Sequence, residues 1–223
     1  MGLDVHARSV AAAAIDGVTG ELFQSRLTPS YDHISSWVRE RPGPVAVAYE
    51  AGPTGFGLYR HLRGAGIRCE VAAPSKIQKP AGERVKTDAK DAVHLARLLR
   101  LDELTPVAIP TLEQESARDL VRAREDARGD LMRARHRLSK LLLRYGIVYY
   151  GGHAWTGKHD LWLRHEALGQ LTRTAGRATL VAFDSDYDAV LAVKARRERL
   201  DTAITEIAVD SEFTPMVRRL SCL

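Results

Sequence analysis

Val45-Ala46-Val47-Ala48-Tyr49-Glu50 is a short, continuous apolar run that stops on an acid. Polar and apolar residues do not alternate in it, so it predicts a central strand covered on both faces. Gly52-Pro53-Thr54-Gly55 follows as a loop. Phe56 to Ala65 then reads as a helix stopped by Gly66, and Ile67 to Ala73 as the next strand. Strand, loop, helix and strand in that order imply a right-handed parallel crossover. Upstream, Met1 to Val5 reads as the end of a buried strand. Val10 to Ile15 is an Ala-rich run closed by the turn pair Asp16-Gly17, and Glu21 to Leu27 is the returning strand. Pro29-Ser30 then precedes a helix from Tyr31 to Arg41, with Ile34, Trp37 and Val38 on one side.

A hairpin meander before alternating helices and strands is the ribonuclease H-like layout. The expected class is therefore α/β, a mixed sheet with flanking helices, over residues 1–111. In that layout the first and fourth strands are neighbours. Asp4 and Glu50 can then converge at the sheet edge, where open α/β sheets carry their sites. The next acids lie in Lys86-Thr87-Asp88-Ala89-Lys90-Asp91-Ala92-Val93-His94-Leu95-Ala96-Arg97-Leu98-Leu99. This is an amphipathic helix whose first turn carries Asp88 and Asp91, three apart and on one face. The helix dipole alone accounts for acids there; what lifts the pair above that reading is the prospect of meeting Asp4 and Glu50.

Beyond Pro110 the texture changes. From Leu112 to Tyr145 there is no Pro and a single Gly, and Leu120, Ala127, Ala134 and Leu141 recur every seven residues. Leu131, Leu138 and Tyr145 fill a second seam, which Arg124 interrupts. From about Asp186 to Val209, Val190, Val193, Leu200, Ile204 and Ile207 follow similar spacing. Residues 112–209 are thus expected to form an α-helical coiled-coil region, either an antiparallel hairpin or a dimerising one. The segment 146–176 has no assignable period.

Of 33 Lys and Arg only seven are Lys, the net charge is +5 and the pI is near 9.4. Arginine's planar fork suits phosphate, so the balance leans towards nucleic acid. No acid occurs from Leu131 to His159, while Arg133, Arg135, Arg137, Lys140, Arg144 and Lys158 do. Tyr145, Tyr149, Tyr150 and Trp155 interleave with them, and Trp162 follows. Arginines for phosphates beside aromatic faces for bases make a single-strand or RNA surface one reading. A solvated helix flank with aromatics packing the loop is the other, at similar weight. Lys86 and Lys90 either touch phosphate or offset the local negative charge. Two distant cysteines, Cys69 and Cys222, argue against a disulfide framework and a zinc site. Neither a membrane-length apolar run nor a signal-peptide pattern is seen, which makes a cytoplasmic location the expectation.

Four carboxylates with no His or Cys at ligand spacing point to a hard divalent ion, Mg²⁺ or Mn²⁺. Two such ions about 4 Å apart activate a nucleophile and stabilise the leaving oxygen. In that scheme Asp4 bridges the ions and Glu50, Asp88 and Asp91 share the remaining positions. His6 lies on the Asp4 side of its strand, where it could sit near a metal, although a surface or half-buried histidine is the favoured reading; His94 reads as structural.

Gly2-Leu3-Asp4-Val5-His6, Tyr49-Glu50-Ala51-Gly52-Pro53-Thr54-Gly55 and Lys86-Thr87-Asp88-Ala89-Lys90-Asp91-Ala92, in that order and spacing, resemble the DEDD transposases of bacterial insertion sequences. Tyr145-Gly146 and Trp155-Thr156-Gly157-Lys158 to Trp162-Leu163 resemble them more loosely. The resemblance implies a RuvC-like domain whose Asp4, Glu50, Asp88 and Asp91 hold Mg²⁺. It also implies DNA strand exchange guided by a structured bridge RNA, and protomers assembled through the coiled coil. A C-terminal domain with a nucleophilic serine is implied as well. Only three residues precede Asp4, and Arg218 to Leu223 falls where that domain would begin, with Ser221 matching no nucleophile. Residues 210–223 are accordingly expected to be a stub and strand exchange by this chain alone to be incomplete. Two alternatives stand beside this reading. One is a free-standing structure-selective nuclease resembling a junction resolvase; the other is a non-catalytic nucleic-acid-binding regulator or remnant.

Overall fold

The computed structural model describes residues 1–77, 87–209 and 211–215. The chain divides into two compact units, Met1–Ile109 and Pro110–Leu223. The first contains β1 (Gly2–Val5), β2 (Val10–Ile15), β3 (Leu22–Leu27), α1 (Tyr31–Arg39), β4 (Ala46–Glu50), α2 (Gly57–Gly64), β5 (Arg68–Ala72) and α3 (Asp88–Arg100). The strands form one mixed sheet in the order β3-β2-β1-β4-β5. β1 runs antiparallel to β2 and parallel to β4, and β4 runs parallel to β5. This order is consistent with the ribonuclease H-like layout.

The two faces of the sheet differ in side-chain size, and that difference places the site. Leu3, Val10, Ala12, Ala14, Val47 and Tyr49 point to one face and are buried with Ile34, Trp37 and Val38 of α1 and Leu58 and Leu62 of α2. Each such large apolar group stabilises the fold by about 1.5–3 kcal/mol. The other face carries Gly2, Ala11, Ala13 and Ile15. There Ala13 is buried with Ala92, Val93 and Ala96 of α3, and Ala11 and Ile15 pack against them. Small residues on both partners let α3 lie close to the sheet. β2 is thus Val-Ala-Ala-Ala-Ala-Ile because each alternate position serves a different helix layer.

The second unit contains α4 (Leu112–Arg144), α5 (Gly157–Trp162), α6 (Leu168–Thr174) and α7 (Arg177–Val209). Residues Leu163–Ala167 form a π turn between α5 and α6. A Thr111–Gln114 capping box starts α4. α4 and α7 pack antiparallel: Arg124 meets Asp201 at 2.8 Å, Asp130 meets Arg196 at 3.4 Å and Arg137 meets Asp186 at 3.6 Å. Arg124, the interruption in the apolar seam, is matched by an acid across the helix pair. Ala127, Leu131, Ala134, Leu138 and Leu141 are buried along the seam. α7 starts at Arg177 rather than near Asp186, because the added turns bring Phe183 into the second unit's core. Packing decides that boundary, upstream of the apolar spacing that marks the rest of the helix.

Gly146 ends α4 with φ +69°. Its N–H bonds the Leu143 carbonyl at 3.0 Å and the Ile147 N–H bonds that of Leu142 at 3.1 Å, a Schellman closure with Ile147 buried against the core. A Cβ here meets no neighbour, so the cost of adding one is conformational. Gly146→Ala is expected to lower stability by about 1–2 kcal/mol, read as a smaller urea midpoint at unchanged slope.

Candidate metal centre

Asp4 sits on β1 and is mostly buried, with 16% of its side chain exposed. It is delivered from the small-residue face, so it emerges beneath the start of α3. Thr87 caps that helix, its hydroxyl accepting the Lys90 N–H at 3.4 Å, and this fixes Asp88 and Asp91 in the first turn. The close approach depends on Gly2. A Cβ there would lie 2.8 Å from the Leu95 Cβ and closer still to the Ala92 carbonyl and the Ala96 amide.

The result is a cluster of Asp4, His6 and Asp88 whose ligand atoms all lie within 4.8 Å of one another. Among the described residues this is the group that can hold a metal ion. His6, just past β1, has its Nε2 3.1 Å from Asp4 Oδ2 and 3.7 Å from Asp88 Oδ1. The hairpin turn aims it, its N–H donating to the Ser9 carbonyl at 3.0 Å. Burial pushes the Asp4 carboxyl above the ordinary range, the His6 hydrogen bond opposes this, and the charges of Asp88 and Asp91 raise it further. Concentrated negative charge with one imidazole, in a half-buried place, is a donor set that fits a divalent cation.

Glu50 ends β4, exposed. It follows Tyr49, which pairs with Leu3, so Glu50 and Asp4 leave adjacent parallel strands at the same end. Its carboxylate, like that of Asp91, lies outside the three-residue ligand group, and Asp91 acts on Asp4 through its charge. Tyr49 holds the turn after Glu50: its buried hydroxyl donates to the Gly55 carbonyl at 3.3 Å and accepts the Tyr59 N–H at 3.2 Å.

The basic residues of the second unit divide. Arg133 pairs with Asp130, and Arg137 faces Asp186. The Arg135 guanidinium lies over the Trp155 ring at 5.0 Å. Trp155, with φ +66°, is half-buried and packs edge-on against His159, the ring centroids 4.9 Å apart. Lys140, Arg144 and Lys158 are exposed, as is Lys90 in the first unit. Lys86 and Ser221 lie outside the described residues. The acid-free run 131–159 is therefore partly neutralised by acids from its own helix N-terminal side and from α7.

The family model of the IS110 DEDD transposases, described as "Transposase", matches residues 1–147. This chain belongs to that family. A putative transposase, y4qE, of Sinorhizobium fredii is 47% identical over 122 residues, covering 55% of this chain and 31% of the relative. The transposase for insertion sequence element IS1533 of Leptospira borgpetersenii is 30% identical over 232 residues, covering all of this chain and 64% of the relative. The chain thus spans less than two thirds of the length of either. In this DEDD transposase family member the matched span holds the whole sheet, α3 and α4. Among the described residues no helix is long and apolar enough to cross a membrane.

His6, for which the sequence favours a surface or half-buried role over one near a metal, is the ligand-capable residue that joins the cluster. The available signal was its spacing of two from Asp4, which keeps both on one side of an extended segment.

Proposed function

We propose that this chain forms the RuvC-like, metal-dependent nucleic-acid-cleaving part of an insertion-sequence transposase. The observation that supports this most is the meeting of Asp4, His6 and Asp88, from β1, its following turn and α3, within 4.8 Å. On this reading Asp4 and Asp88 supply oxygen ligands, Glu50 and Asp91 complete the set from the adjoining strand end and helix turn, and Mg²⁺ or Mn²⁺ is the ion. Such an ion, when bound, polarises a phosphodiester and lowers the pKa of an attacking water or hydroxyl. The protein's own part is geometric. Two layers of packing fix the carboxylates before substrate arrives, and the partly buried position of Asp4 limits the water that screens them.

DNA is the proposed substrate, with a structured guide RNA and further copies of the chain, joined through a coiled coil of the long helices, as proposed partners. The basic surface of Lys140, Arg144 and Lys158, together with Lys90, supports a nucleic-acid partner. Residues 1–111 and 112–209 would divide the labour between chemistry and assembly. A free-standing junction-resolving nuclease rests on the same cluster and needs no further domain. A nicking assay on branched DNA with Mn²⁺ against EDTA tests the chemistry directly. Metal-dependent nicking that disappears in Asp88→Ala is the expected result. Nicking that persists in that variant, or that ignores the metal, would sink the assignment.

A further inference from the structure

Beside the carboxylate cluster lies a groove of ≈ 570 Å³, lined by Ser9, Ala11, Gln24, Ser25 and Arg26 on one side and by Thr87, Asp88 and Ala89 on the other. The pairing register explains how it arises. Asp4 pairs with Ala11, and Ala11 pairs with Arg26, so the three stand in one row across β1, β2 and β3. Paired residues project from the same face, which puts Arg26 on the α3 side of the sheet with Asp4. Two inter-strand steps of ~4.8 Å place Arg26 and Asp4 about 10 Å apart at the backbone. Alanine between them leaves the floor low. The groove lies against the cap and first turn of α3, Thr87 to Ala89.

Arg26 is exposed on an edge strand. Among the described residues its guanidinium donates to the Ser9 hydroxyl at 3.1 Å and meets no carboxylate. Salt-bridged arginines elsewhere in the chain, such as Arg124 and Arg133, already have acidic partners. Arg26 instead is oriented by a neutral hydroxyl, which leaves its charge available to an anion. Gln24 and Thr87 add neutral hydrogen-bonding side chains along the walls, and no aromatic ring lines them.

We propose that this groove carries the sugar–phosphate backbone of the DNA strand next to the cleaved position, with Arg26 as the phosphate-holding, positioning residue. The inference rests on the metal-centre reading given above. A strand whose reacting phosphate lies at Asp4 and Asp88 must continue in some direction. Its charges recur every ~3.4 Å of duplex axis, so flanking phosphates fall within the span to Arg26. The walls offer no base-stacking ring, which makes the contact one of backbone and not of sequence.

The test is DNA binding by the full chain, measured by fluorescence anisotropy on labelled duplex and single-stranded probes in Ca²⁺ buffer over a salt series. Arg26→Ala is expected to weaken both probes about 5- to 20-fold and to flatten the plot of log affinity against log salt by about one unit. Arg26→Lys should recover most of the slope and only part of the affinity, since a point charge replaces a fork. Mn²⁺ affinity and melting temperature should stay at wild-type values in both variants. Unchanged affinity and slope in Arg26→Ala, with wild-type binding intact, overturns the groove alone and leaves the metal centre standing. Wild-type chain that binds Mn²⁺ but neither probe overturns both the groove and DNA as substrate. A sequence-dependent loss in Arg26→Ala would also count against a backbone role.

Discussion

Asp4→Asn is expected to abolish divalent-cation binding and, in the same protein, to raise thermal stability without metal. The two effects have one cause. Asp4 is mostly buried and faces Asp88 and Asp91, so its ionised form is disfavoured in the folded state, with the His6 hydrogen bond a smaller compensation. A carboxyl whose folded pKa is raised contributes stability that is present at acid pH and lost as pH climbs through the folded value. Asn keeps the shape and the bond to His6 but removes the charge. Its advantage should therefore be absent below pH ~4, the ordinary Asp range, and grow towards neutral pH. Metal affinity moves the other way. Loss of even an outer hydrogen-bonding partner weakens metal sites ~10- to 100-fold, so loss of a direct ligand should cost at least ~100-fold for Mn²⁺. Melting curves in EDTA across pH, paired with Mn²⁺ titration, read both. A residue kept for packing alone would lose stability and leave Mn²⁺ binding untouched, which is the result that would defeat this account.

Much of the first unit is legible in sequence because its signals are local. The uninterrupted Val45–Tyr49 run marks a strand covered on both faces, and β4 is an interior strand, between β1 and β5, with helices on both sides. Val10 to Ile15 splits its residues between two helix layers at a period of two. Asp88 and Asp91 mark an acidic first turn, and that is where α3 starts, with Thr87 as its cap. What sequence conceals is what only tertiary approach creates. The place of His6 beside Asp4 can be read from their spacing, but its meeting with Asp88 exists only once α3 packs on the sheet. Tyr49 looks like one more apolar strand residue, yet its hydroxyl ties the turn after Glu50 to α2. In the second unit, the run without acids between Leu131 and His159 looks uniformly basic in one dimension. Antiparallel α7 supplies Asp186 to Arg137, and Trp155 takes the guanidinium of Arg135. The α5–α6 segment has no readable period because a π turn shifts its register midway.

Gly2 is where fold and chemistry meet most tightly, and its replacement should be the most damaging single change in the first unit. Gly2→Val favours strand conformation, so local propensity predicts a mild gain. The packing predicts the reverse. A Cβ at this position runs into the Ala92 carbonyl, the Ala96 amide and the Leu95 Cβ. Two of these are backbone atoms in the middle of a helix, which no rotamer change can move. Either α3 lifts away from β1 or the sheet bends, and overpacking of this kind costs about 3 kcal/mol or more. With an ordinary urea slope, that is a midpoint lower by roughly 1 M or more. The lift has a second consequence, because α3 carries Asp88 while β1 carries Asp4. Separating the elements opens the 4.8 Å cluster, so whatever Gly2→Val remains folded should bind Mn²⁺ far more weakly than wild type. Gly2→Ala should show both effects in smaller measure, since one methyl meets the same atoms with less to displace. Trimming the helix side at Leu95 should rescue neither variant, for the backbone contacts remain. If Gly2→Val instead keeps wild-type stability and Mn²⁺ affinity, the carboxylate spacing is set by something other than the contact of α3 with β1. If the two properties fall together across Val and Ala, one small residue on the first strand sets the distance between the acids.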